Sequence, residues 1–171
     1  EQQNIPASFK WNTAVKYILT QDIDYVMILG SDDIVSNDVI GKIQNAINDD
    51  YDFIYTHQIY FYSNDFGGRL LFLNAKQIIG ICRTVHRRVL ENLEDFWWPK
   101  AANSGMDGMF YKKMKGYIKT TKTFSGVIVD VKTRESLNKF AMWNRKIKTE
   151  SDVNIFYNIL SENEKQILKE I

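Results

Sequence analysis

Between Asp24 and Gly30 the chain reads D-Y-V-M-I-L-G, five apolar residues in a row with no polar alternate. The run is too short for a helix and too continuous for a strand with one wet face. It predicts a strand covered on both faces, the kind found inside α/β sheets. Such a strand requires helices above and below it, and the flanking sequence offers both. Asn12 to Thr20 places Ala14, Val15, Ile18 and Leu19 at helical spacing, and Ser36 stands as an N-cap before Val39, Ile40, Ile43 and Ile47, the apolar stripe of a helix reaching Asn48. Helix–strand–helix order argues for a parallel α/β sheet. A chain of 171 residues, 44% of them hydrophobic, has enough apolar surface to build such a core as one domain.

Further along, antiparallel signals join. Asp52 to Tyr62 is rich in strand formers, "NDFGG" (64–68) is a turn, and "RLLFL" (69–73) is its hairpin partner. "QIIGICRTV" (77–85) reads as a strand running into the helix "HRRVLENL" (86–93), and residues 96–105 as a loop. "MDGMFYKKMK" is a helix closed by Gly116, followed by the strands "YIKTTKTF" and "GVIVDVK". From Ser136 the chain is irregular, then helical. "SENE" (161–164) is a capping box opening a last helix with Ile167, Leu168 and Ile171 on one side. The expected organisation is a mixed-sheet α/β domain over residues 1–150 with a helical tail over 151–171.

Composition narrows the function classes. With 22 basic and 21 acidic side chains the formal charge is +1, so no global field favours nucleic acid, and an anionic ligand needs a local site. No apolar run approaches the roughly 18–20 residues of a membrane span. The single cysteine, Cys82, excludes an internal disulfide and a cysteine-rich zinc site, and fits a reducing, cytoplasmic setting. Oligomeric state stays open.

The strand at 24–30 ends in Gly-Ser-Asp-Asp. In open α/β sheets ligands bind beyond the carboxyl ends of the parallel strands, where Asp32 and Asp33 are expected. Successive residues of a strand face opposite ways, so one carboxylate can ligate a metal while the other holds a hydroxyl or a metal-bound water. Hard oxygen donors of this kind suit Mg²⁺ or Mn²⁺. An Asp pair at a turn can equally serve only to cap and solubilise the helix that follows, although Ser36 already supplies a cap.

Four stretches in order, "FKWNTAVKYI", "DIDYVMILGSDDIVSNDVIGKI", "VHRRVLENL" and "SGMDGMFYKKMKGYI", resemble the inverting, family-2-like nucleotide-sugar glycosyltransferases of GT-A fold. The matching features are Lys10 with Asn12 at a helix start, Asp32 with Asp33 as a DxD-like motif, Arg87 with Arg88, and Asp107 opening a helix that ends in Lys-Gly-Tyr. The resemblance implies a GT-A-like (Rossmann-like) mixed sheet flanked by helices. Only 31 residues precede Asp32, so the family's N-terminal strand–helix–strand segment is expected to be missing. It implies transfer of a sugar from a nucleotide-sugar donor to a glycan or other hydroxyl acceptor, dependent on Mn²⁺ or Mg²⁺. Asp33, with Asp32 close behind, would hold the metal; Lys10, Asn12, Ser31 and Asp32 would meet the donor; Asp107 would be the general base; His57, Trp97 and Trp98 would line the acceptor cleft. The sequence departs from the pattern at Gly30, where the family often has an acid, and at Met106, where it often has a second one.

Each of these residues has a plainer reading: a helix-start acid for Asp107, a core or surface histidine for His57, core anchors for the tryptophans. Asp130, at the end of another strand, suits metal, acceptor or turn alike. Two other classes compete. One is a glycosyltransferase-like domain that binds sugar or a partner without turnover. The other is a nucleotidyltransferase-type metal enzyme, which would want a third acid beside Asp32 and Asp33 and a phosphate loop; no glycine-rich loop is present.

Overall fold

The computed structural model describes residues 6–93, 97–98, 106–133, 140–147 and 149–170. Most of the loop expected over 96–105, the irregular stretch from Ser136 to Lys139 and the last apolar residue, Ile171, lie outside them.

In chain order the elements are α1 (Ala7–Ile18), β1 (Tyr25–Ile28), β2 (Asp33–Val35), α2 (Asn37–Asn48), β3 (Phe53–Thr56), β4 (Gln58–Ser63), a 3-10 turn (Asn64–Phe66), β5 (Arg69–Asn74), β6 (Arg83–His86), α3 (Arg87–Glu91), α4 (Met106–Met114), β7 (Thr121–Phe124), β8 (Ile128–Val131), α5 (Phe140–Lys146), β9 (Glu150–Ser151), α6 (Asn154–Tyr157) and α7 (Glu162–Glu170). They form two mixed sheets flanked by helices, ordered β1-β6-β3-β7 and β2-β8-β4-β5-β9. The parallel pairs β3–β7 and β4–β8 follow one another along the same two chain segments. The β-rich stretch 52–62 is therefore not one strand. It breaks at His57, where the Thr56 hydroxyl bonds to the main chain of Gln58, and passes from the first sheet to the second.

Local rules account for the starts of α2, α3 and α7. Ser36 Oγ accepts from Val39 N at 3.4 Å and starts α2, and an Asp38–Lys42 pair one turn apart supports it. Ser161 and Glu164 exchange bonds in the expected capping box of α7. His86 Nδ1 accepts from Arg88 N, so α3 begins one residue later than the sequence suggests.

Three apolar clusters hold the layers. Val15, Val26, Ile28, Phe53, Val89 and Trp98 join α1, α3 and α4 to one face of the first sheet. Val39, Ile43, Ile54, Phe61, Ile128 and Phe140 join α2 and α5 to both sheets. Tyr62, Leu70, Val129, Phe156, Leu160 and Leu168 seat α6 and α7 on the second sheet. The tail after residue 150 thus packs on its own chain, and β9 extends the second sheet beside β5.

Two expectations change. β1 is an edge strand, antiparallel to β6, rather than an interior parallel strand. Val26 and Ile28 enter the core while Met27 and Leu29 remain 37% exposed, so its uniform apolarity conceals an alternation of burial. Of residues 77–85, only Arg83 onward is strand. Cys82 has φ +56°, a left-handed turn that interrupts the extended backbone just before β6.

Candidate functional site

β1 ends at Ile28, the chain turns, and Asp33 opens β2 directly opposite Asp130 of β8. The neighbouring register is fixed by Val131 N donating to Asp32 O at 2.8 Å. One oxygen from each of Asp32, Asp33 and Asp130 lies within 4.8 Å of the others. The pair at the sheet is therefore not at the carboxyl end of a parallel strand, as the sequence suggests. It is a cross-strand pair of like charges, an arrangement that is unfavourable unless a cation or a proton compensates it.

Gly30 makes the convergence possible. Its N–H donates to Asp33 Oδ2, and a Cβ built there would stand 2.8 Å from Asp33 Oδ2 and 2.9 Å from Asp32 Oδ1. The two carboxylates fold back over the glycine, so the position has no room for the acid that the resembling family often carries.

Compensation comes in part from Lys132, whose side chain is 6% exposed. Its Nζ lies 2.5 Å from Asp130 Oδ1 and 3.6 Å from Asp32 Oδ2, and its N–H is held by Tyr62 O. The contact with Asp130 is close but poorly directed, and Oδ1 has no well-aligned hydrogen bond. Burial pushes Asp33 up to about 7, with the charges of Asp130 and Asp32 adding and the Gly30 N–H opposing. Burial likewise raises Asp130 to about 6 against the pull of Lys132. Burial and the Asp33 charge push the Cys82 thiol up to about 12, so it is an inert wall of the site. Oxygen-only donors at this spacing fit Mg²⁺ or Mn²⁺, with Asp33 and Asp130 as the inner pair and Asp32, half open to solvent, beside them.

Asp107 stands in the first turn of α4 and is held from below. Arg83, only 1% exposed, gives one Nη to Asp107 O and the other to Asp107 Oδ1, each at 3.0 Å, and lies 4.8 Å above the Phe110 ring. Burial lowers the guanidinium's pKa and Asp107 opposes that. A Cβ at Gly80 would overlap the Asp107 carboxylate. The four residues Gly80–Arg83 thus connect both acidic features. Gly80 and Arg83 touch Asp107, while Cys82 donates to Ile28 O and lies close enough to Asp33 to feel its charge. Left-handed backbone at a non-glycine residue is a costly feature that clusters at working sites.

The other expected site residues divide. Ser31 is exposed in the turn beside the acids, and Lys10 is exposed on α1. His57 sits at the β3–β4 break, with Nδ1 3.2 Å from Gln77 O, on the loop that continues to Gly80. Trp97 and Trp98 are 3% and 1% exposed and belong to the core, so in this structure they offer no face to an acceptor. Asn12 is buried too, and spends its amide on both main-chain groups of Trp98, each at 3.0 Å, rather than on a donor. Arg87 caps the end of α1 through Leu19 O and Gln21 O, and Arg88 ties Asp50 and Asp52 together. Both arginines hold elements of the fold together through these bonds.

Sequence reasoning missed Lys132, Arg83 and Gly80. Lys132 follows Asp130 by two, the period that puts both on one strand face. Arg83 interrupts an otherwise apolar stretch, which demands a buried counter-charge. Nothing local marks Gly80, whose role depends on α4. No family model, curated protein or solved structure matches this chain.

Proposed function

We propose that the chain is a nucleotide-sugar-dependent glycosyltransferase domain whose donor diphosphate is met at Asp33, Asp130 and Asp32 and whose acceptor is activated by Asp107. One observation carries the reading: the DxD-like pair and the predicted base, far apart in sequence, are served by the same four residues, Gly80–Arg83. A divalent cation at the three carboxylates supplies neutralisation of the charge that grows on the leaving diphosphate. Arg83 occupies Asp107 Oδ1, which leaves Oδ2 to take the acceptor's proton. As that proton leaves, the acceptor oxygen bonds to the sugar's anomeric carbon, and the bond from that carbon to the diphosphate breaks. Attack from the face opposite the leaving group gives inversion.

A second reading has a specific observation in its favour. Asp130 supplies the third acid that a nucleotidyltransferase would need beside Asp32 and Asp33. The products separate the two. The chain would be incubated with Mn²⁺ and a panel of nucleotide-sugars and nucleoside triphosphates, with a mixed set of saccharide acceptors. Release of a nucleoside diphosphate with sugar transfer, absent in Asp107→Asn, supports the glycosyltransferase. Pyrophosphate release from a triphosphate supports the alternative. Metal-dependent binding with neither product identifies a non-catalytic binding domain.

A further inference from the structure

We propose that Lys132 is the resident cation of the carboxylate site: its ammonium stands in for the divalent ion, and the ion binds by displacing it from Asp130 and Asp32. The inference shares the site of the proposed function but does not require that the substrate be a nucleotide-sugar.

The geometry is unusual for a lysine. A long side chain on a strand normally extends its ammonium into water. Lys132 instead keeps 6% of its side chain exposed and directs Nζ inward to two carboxylates at 2.5 and 3.6 Å. Its main chain cannot follow the side chain outward, because its N–H is bonded to Tyr62 O at 2.7 Å. Exchange with an ion is therefore a rotation of the side chain alone. Asp33 and Asp130 face each other across β2 and β8 with Asp32 alongside, and among the described residues Lys132 is the cation paired with this cluster, through Asp130 and Asp32. One positive charge on three carboxylates leaves the cluster under-compensated, so it still attracts a cation of higher charge. An ammonium placed on the same oxygens opposes that cation by repulsion and by occupying Asp130 Oδ1. The chain keeps its acids assembled without metal, at the expense of metal affinity.

Two measurements test this without substrate. Mn²⁺ alone is titrated, with free ion read by electron paramagnetic resonance at about pH 8, where carboxyl groups are largely ionised. Wild type, Lys132→Met, Lys132→Gln and the double variant Asp33→Asn/Lys132→Met are compared. Removing the ammonium is expected to tighten Mn²⁺ binding by about tenfold or more, since a unit charge a few ångströms from a divalent ion acts strongly in a partly buried site. The gain should disappear in the double variant. Unchanged or weaker binding in both single variants, a gain that survives Asp33→Asn, or no Mn²⁺ binding by any of them overturns the proposal. The second measurement needs no variant. Acetic anhydride labelling of Lys132 in the wild type, followed by mass spectrometry, should speed up when Mn²⁺ is added. Labelling that is unchanged or slower means that the ammonium does not leave. If Lys132 behaves as proposed while no nucleotide-sugar or nucleoside triphosphate binds, the cation inference stands and the assigned function falls.

Discussion

At the scale of single residues, the acids at Asp33 and Asp130 make the molecule's pH response distinctive. Both are raised above the ordinary value of 3.8, to about 7 and about 6. The folded chain therefore holds protons that the unfolded chain has released, and the associated stability is present below the unfolded value and is lost as pH rises through about 6 and about 7. Without divalent cation, the melting temperature is expected to fall between pH 5 and pH 8, and Asp33→Asn should flatten that fall and melt higher than wild type at pH 8. Asp52 works in the opposite sense. Burial acts to raise it, but Arg88 and the N–H groups of Lys119 and Thr120 overcome that and hold it low, so its contribution is lost only as the solution becomes acidic.

Arg83 and Asp107 make an asymmetric pair, buried on one side and 57% exposed on the other. Asp107→Asn leaves a buried guanidinium without a counter-charge, which costs about 3 kcal/mol or somewhat less given the partner's exposure. Arg83→Met removes the charge that needs compensation and leaves Asp107 to water, so it should cost less than Asp107→Asn in urea unfolding. The reverse order would mean that the guanidinium is not dependent on Asp107. Loss of activity in Asp107→Asn is accordingly to be judged on folded protein at a temperature well below its melt.

At the scale of elements, one buried amide adds a polar tie to the apolar packing of α1. Asn12 joins it to both main-chain groups of Trp98 inside the first apolar cluster. Asn12→Ala strands a buried N–H and C=O and should cost on the order of 2 kcal/mol; a change below about 0.5 kcal/mol in urea unfolding would contradict the anchoring role. This bond also shows why the sequence is only partly legible. The Ser36 cap of α2, the capping box at Ser161 and the β4–β5 hairpin follow from local chemistry and read directly from residue type and spacing, whereas α1 begins at Ala7, ahead of the Asn12 start that apolar spacing suggests. The pairing of Asp33 with Asp130, 97 positions apart, depends on which strands become neighbours. An apolar run such as Y-V-M-I-L reports hydrophobicity without saying whether the strand is central or, as here, at an edge. Asn12, Trp97 and Trp98 carry the chemistry of ligand contacts, and tertiary packing uses it internally. Gly30 belongs to the same lesson: a departure from the expected motif becomes intelligible only when the two carboxylates are seen folded over it.

At the scale of the whole molecule, two sheets meet where β1 gives way to β2 and β3 to β4, and the acidic residues gather along the first of those transitions. Helices α6 and α7 close the far face of the second sheet through Phe156, Leu160 and Leu168. Phe156 is fully buried, so Phe156→Ala should destabilise by about 3–5 kcal/mol, with little direct effect on Mn²⁺ binding by the protein that remains folded.

The proposed function requires the three carboxylates to hold a divalent ion against a nucleotide diphosphate. Calorimetric titration of the chain with nucleoside diphosphates and nucleotide-sugars, with and without Mn²⁺, tests it most directly. At least one nucleotide is expected to bind only when Mn²⁺ is present, and Asp33→Ala is expected to abolish this binding while leaving the fold intact. Binding indifferent to Mn²⁺ or to Asp33→Ala, or no binding by folded protein to any member of the panel, would contradict it.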